Sequence, residues 1–128
     1  AVLRYLAFGH GNAVMLVHSA TAPNAIARVL PALDRDRWVE SGSTAWAATA
    51  ALTAIYAPAE PAPADALPPS PEGPGAAAET FARAVEHGDE HVIKLADTAL
   101  DSYARSRNGE ALAAVVRATT LVEPFPAA

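Results

Sequence analysis

The residues best suited to chemistry lie in one stretch, His87-Gly88-Asp89-Glu90-His91-Val92-Ile93-Lys94. On a continuous helix, His87 and His91 are one turn apart, so their Cβ atoms are neighbours and both imidazoles can reach one divalent ion. Lys94 stands a turn further on. A helical wheel over residues 76–107 groups His87, His91, Lys94 and Thr98 in one wedge, at the boundary between two faces. Phe81, Val85, Val92, Ala96, Ala99 and Tyr103 form the apolar face, while Arg83, Glu86, Glu90, Asp97 and Asp101 form the solvated one. The plainer reading of the same residues is an i, i+4 ion pair between Glu90 and Lys94, with two boundary histidines. Asp89 falls within the apolar face on this wheel. A carboxylate there needs a partner, either an arginine or the back nitrogen of a ligating histidine.

His87-x-x-Glu90-His91 also fits the H-x-x-E-H pattern of zinc peptidases, with the glutamate as general base. That chemistry needs a further acidic ligand downstream, where only Glu110 and Glu123 remain. Of the other histidines, His18 ends the apolar run Val14-Met15-Leu16-Val17 and can supply a third imidazole. A lone histidine in such a run is more often a hydrogen-bonded core residue. His10, in the break Gly9-His10-Gly11-Asn12, is the weaker candidate.

Composition narrows the classes. The chain has 128 residues, net charge −5 and no cysteine, which excludes disulfides, thiolate nucleophiles and Cys-type zinc sites. The absence of a basic patch argues against nucleic acid as a partner. No apolar run reaches the ~18 to 20 residues of a membrane span, and the cytoplasm is the expected compartment. Hydrophobic residues make up 52% but aromatics only 6%. Alanine supplies much of the first figure, which favours closely packed helices over strands.

The elements that must position these residues follow from the breaks. The expectation is an all-α domain of about five helices over residues 1–128, with N-terminal helices in 1–56, a Pro-rich loop in 57–75 and C-terminal helices in 76–128. A short N-terminal piece precedes the glycine break, and a buried helix follows from about Asn12 to Ser19. Thr21-Ala22-Pro23 then starts another short helix near Asn24 to Leu30, with Pro23 in its first turn. Asp34-Arg35-Asp36-Arg37 reads as a solvated connection, and Ser41 or Ser43 as the cap of a helix from Thr44 to about Ile55. Seven of the eleven prolines lie between Pro58 and Gly75, a composition expected to be extended or mobile. One long helix from Ala76 to about Arg107 carries the histidines, Asn108-Gly109 stops it, and a last helix spans Glu110 to about Thr120. The tail Glu123-Pro124-Phe125-Pro126 follows. The apolar start at Ala1 suggests part of a larger helical protein.

Two segments resemble the questin oxidase-like family. Met15-Leu16-Val17-His18-Ser19-Ala20-Thr21-Ala22-Pro23, leading to Leu30-Pro31, resembles its "hydrophobic-His-x-x-Thr" stretch. Glu86-His87-Gly88-Asp89-Glu90-His91-Val92-Ile93-Lys94 resembles its "His-x-Asp-Glu-His-Val-Ile-Lys" helix. The two blocks follow in the family's order, and the chain corresponds to the C-terminal third or so of a typical member. The resemblance implies a helical, non-heme iron (Fe2+) oxygenase acting on aromatic polyketides such as anthraquinones, by oxygen insertion or ring cleavage, with NADPH as a candidate reductant. It makes His18, His87, His91 and Lys94 the candidate metal residues, with Lys94 able to bind as a carboxylated, oxygen-donating side chain. The family's remaining histidines lie in an N-terminal region, so an N-terminal half or a partner chain is implied. The alternative from a different class is a non-catalytic helical subunit whose histidines serve packing or assembly, with the zinc peptidase third.

Overall fold

A computed structural model describes residues 1–125, so Pro126 of the expected tail lies outside the described residues. The protein is all-helical. Six α-helices occur among the described residues: α1 (Val2–Phe8), α2 (Ala13–Val29), α3 (Trp38–Tyr56), α4 (Ala76–His87), α5 (Glu90–Ser106) and α6 (Glu110–Leu121). Short 3-10 turns occupy Leu30–Ala32, Arg35–Arg37 and Ala64–Ala66.

Alanine makes the packing possible. α5 lies at the centre, against α1, α2, α4 and α6, and its Val92, Leu95, Ala96 and Ala99 are fully buried. α6 presents Ala111, Leu112, Ala114, Val115 and Ala118 to the same core, also fully buried. Small side chains let these backbones approach closely, while Leu95, Leu112, Val17, Val92 and Val115 supply the larger buried volumes. Val85, expected on the apolar face, is instead 52% exposed. It belongs to α4, whose phase is independent of α5, and α4 turns Ala76, Thr80 and Ala84 inward.

The expected long helix over residues 76–107 is therefore two helices. Gly88 has φ +81°, the left-handed conformation that closes α4. Asp89 is extended (φ −74°, ψ 134°) and caps α5, its Oδ1 accepting from the backbone N–H of His91 at 2.8 Å and of Val92 at 3.2 Å. A glycine followed by an aspartate satisfies a helix stop and a helix start in succession, which outweighs the continuous apolar pattern. Asp89 thus ends as a cap rather than as a carboxylate on an apolar face.

The two short helices expected between residues 12 and 30 are, conversely, one. α2 begins at its cap, Asn12, whose side chain accepts from Met15 N–H at 3.0 Å. It then runs through Pro23, which lies in its interior. Proline cannot donate to the carbonyl four residues back, that of Ser19. The hydroxyl of Thr49 on α3 donates to that carbonyl instead, at 3.1 Å. α3 itself starts at Trp38 rather than Thr44 and has no side-chain cap. The 3-10 turn Arg35–Arg37 leads straight into it, so neither Ser41 nor Ser43 is needed as a cap.

Between α3 and α4 the chain has no α-helix, only the Ala64–Ala66 turn and a series of bends, and parts of it lie against the helices. Ala62 is buried and donates to the carbonyl of Ala7 at 2.7 Å, Leu67 packs against the core, and Arg117 donates to the carbonyl of Ala66 at 2.5 Å. Prolines preset the extended backbone, and these contacts fix where it runs. The chain's return from α3 also explains Gly11, where a Cβ would collide with the carbonyl of Tyr56 and the ring of Pro58. No helix among the described residues is long and apolar enough to cross a membrane.

Candidate metal centre

The break at Gly88-Asp89 redistributes the histidines. His87 is the last residue of α4 and His91 lies in the first turn of α5, so the two do not share a helix face. His87 turns to the end of α6. Its Nε2 lies 3.0 Å from the carbonyl of Val122, and because a carbonyl only accepts, Nε2 carries the proton. The backbone follows the same route, with Phe125 N–H donating to the His87 carbonyl at 3.2 Å. His87 thereby pins the segment after α6 across the α4–α5 joint.

His91 turns the other way, toward α2. Its ring meets that of His18 edge to face, centroids 5.3 Å apart and planes at 89°. His18 and His91 come from α2 and α5, which pack directly on each other. On the far side of the His91 ring, Nδ1 lies 3.3 Å from Asp89 Oδ1. That contact is not aligned as a hydrogen bond, and Nδ1 is buried without a hydrogen-bond partner among the described residues. A carboxylate beside Nδ1 favours the tautomer that keeps the proton there and leaves the Nε2 lone pair free.

Lys94 follows one turn along α5. Its ammonium lies 2.6 Å from Glu90 Oε2, the i, i+4 pair legible in the sequence, and this contact holds the Glu90 carboxyl below its ordinary range. Both groups are more than half exposed, so the pair contributes little stability. Lys94 also borders a cleft of about 270 Å3 between α2 and α5, together with His18, Thr21, Ala25, Asp97 and Thr98. His18 and Lys94 are thus neighbours of one opening. His10 is exposed in the turn between α1 and α2.

No protein-family model, curated protein or solved structure matches the chain.

Among the described residues no three His, Cys, Asp or Glu side chains converge in a way that could hold a metal ion. The chain offers a pair of imidazoles, His18 and His91, and a lysine that donates an oxygen only if carboxylated. These fit part of a coordination sphere. The H-x-x-E-H reading loses its support, because a peptidase site needs both histidines on one helix and here they are on two.

Two features near the pair are not legible in the sequence. Arg28 on α2 clamps two carboxylates of α5, with Asp97 at 2.6 Å and Asp101 at 2.6 Å, and Asn24 adds a bond to Asp101 at 3.0 Å. The i, i+4 spacing of Asp97 and Asp101 on one face was a signal for a shared cation, but not for which one. Tyr5 on α1 is 2% exposed, and its hydroxyl has no hydrogen-bond partner among the described residues. Burial pushes this phenol well above its ordinary range, Arg117 opposes the shift, and Asp89 adds to it. Tyr5 therefore lies within electrostatic reach of the carboxylate that flanks His91.

Proposed function

We propose that the chain forms the C-terminal part of a non-heme iron oxygenase of the questin oxidase-like kind, acting on an aromatic polyketide of the anthraquinone type. The observation that carries this reading is the meeting of His18 with His91. Two histidines from segments far apart in sequence, each in a block that resembles the same family, face one another across the α2–α5 contact.

In this reading His18 and His91 are the iron ligands of this chain, with the Asp89 carboxylate beside the back nitrogen of His91. His87 is a structural residue bonded to Val122. Lys94 joins the ligands only when carboxylated. An ammonium repels a cation, whereas a carbamate donates oxygen and is repelled by Glu90, its present partner. Imidazole and carboxylate-type donors suit iron and leave open positions, where the bound metal supplies dioxygen activation. The cleft beside His18 and Lys94, with Thr21, Ala22 and Ala25 on its wall, gives a flat aromatic substrate an approach. The remaining ligands come from an N-terminal half or a partner chain, the reductant is NADPH, and the cytoplasm is the compartment.

The test is anaerobic Fe2+ binding to the purified chain and to three variants. His18→Ala and His91→Ala should each weaken binding at least about tenfold, while His87→Ala should bind as the parent does. No iron bound by the folded parent, or equal losses in all three variants, refutes the assignment. The second reading, a non-catalytic helical subunit, is favoured by the lack of three converging ligands among the described residues.

A further inference from the structure

Asn108-Gly109, the stop between α5 and α6, is also a reactive pair of residues. The backbone nitrogen that follows an asparagine can reach the side-chain carbonyl carbon by closing a five-membered ring. A Cβ on the following residue hinders that approach, and glycine has none. Asparagine is accordingly among the thermolabile residues of proteins.

The fold leaves the nucleophile free. Asn108 N–H bonds Ser106 Oγ at 3.2 Å, Glu110 N–H bonds Asn108 Oδ1 at 2.9 Å, and Ala111 N–H bonds the Asn108 carbonyl at 3.1 Å. Between them, Gly109 N–H makes no hydrogen bond among the described residues. The same contacts activate the target carbon. The Glu110 N–H on Asn108 Oδ1 stabilises the negative charge that grows on this oxygen when a nitrogen adds to Cγ. Glu110 Oε2 lies 3.3 Å from Asn108 Nδ2 and favours the departure of that nitrogen as ammonium. An open cleft of about 310 Å3, bordered by Gly109, Ser70 and Glu72, gives water access. The fold also holds position 109 as glycine, because a Cβ there would lie 3.1 Å from the Cβ of Ser70.

We propose that Asn108 is a site of spontaneous modification, at which the Gly109 backbone nitrogen displaces ammonia from the Asn108 side chain. The nitrogen loses its proton to hydroxide and forms a bond to Cγ. The Cγ–Nδ2 bond then breaks, and Nδ2 takes up a proton from water and leaves as ammonia. A second water opens the cyclic imide. Opening at Cγ gives aspartate, and opening at the main-chain carbonyl carbon gives isoaspartate. No electrons are exchanged, and water is the only co-reactant. Either product places a new negative charge beside Glu110. Isoaspartate also adds a carbon to the main chain next to Gly109, where Ser70 leaves little room.

The other two asparagines lack this arrangement. Asn12 is followed by Ala13, whose Cβ hinders the attack. Asn24 is buried within α2, where the N–H of the next residue is committed to the helix. The chain has no glutamine, so no other side chain can lose an amide. The site does not involve the histidine pair and reacts whether or not iron binds there.

The test is to age the purified full chain in mildly alkaline buffer beside a free peptide of residues 104–113. Peptide-level mass spectrometry follows amide loss, and isoaspartyl methyltransferase with labelled S-adenosylmethionine counts isoaspartate. Residue 108 of the folded chain should convert at least about tenfold faster than Asn12 or Asn24, and within about tenfold of the free peptide. Asn108→Ser keeps an oxygen for the Glu110 N–H and should abolish the methyl label, with unchanged helical circular dichroism. Conversion more than about tenfold slower in the folded chain than in the peptide overturns the proposal, because the hydrogen bonds then protect the amide. So does a methyl label that survives Asn108→Ser.

Discussion

Thr49 donates its hydroxyl hydrogen to the carbonyl of Ser19, the one carbonyl in α2 that Pro23 leaves without its helical donor. Ser19 is 5% exposed, so water is a poor substitute there. Thr49→Val keeps the shape and removes the donor, and should destabilise the fold by about 1–3 kcal/mol in urea unfolding. The cost should shrink in a Pro23→Ala background, where the restored N–H serves Ser19. A coupling below about 0.5 kcal/mol between the two changes would contradict this account.

Gly88 has φ +81°, a conformation that costs an L-residue about 1–2 kcal/mol. Gly88→Ala should lower stability by about that amount. A Cβ there would lie 3.4 Å from the Cβ of Phe125, an ordinary contact, so the loss should come from the backbone alone. An unchanged unfolding midpoint would show that α4 and α5 join differently.

His87→Leu removes the donor to the Val122 carbonyl but keeps comparable bulk. The expected cost is about 1 kcal/mol. Hydrogen exchange should quicken at Phe125, whose N–H bonds the His87 carbonyl, before it quickens in α5. Equal acceleration throughout α5 would argue against a local clamp.

Asp101 gives the fold a definite acid response. Its hydrogen bond from Asn24, followed by its contacts with Arg28, holds the carboxyl below the ordinary 3.8, partly offset by burial. The folded state therefore holds this proton less tightly than the unfolded chain does. Stability from the contact is complete above pH 3.8 and is lost as the pH falls through the lower folded value. Asp101→Asn should flatten stability against pH below about 4 and leave Arg28 with Asp97 alone. The side chain is 31% exposed, so solvent screening keeps the effect modest. An identical acid limb in the variant would exclude this pair as its source.

The all-α class was readable because alanine-rich, strand-poor composition and the breaks at Gly9-His10-Gly11-Asn12 and Asn108-Gly109 act locally, within a turn or two of chain. The Glu90–Lys94 pair was readable for the same reason, since i, i+4 spacing brings the groups together on any helix. Helix continuity was harder to read. Gly88-Asp89 carries both a stop and a start, but the unbroken apolar period across it points to one continuous helix. At Pro23 the reverse holds: a local breaker points to two helices, while a donor from α3 cancels its effect.

The candidate site divides along the same line. The sequence by itself determined the residue types, the helical class and the two histidine-bearing blocks. Tertiary structure decided which histidines meet, because the turn at Gly88 rotates α5 relative to α4 and packing sets α2 on α5. His91 therefore meets His18, and His87 meets Val122. Spacing along a chain can fix neighbours within a helix, but neighbours between helices depend on how apolar faces pack.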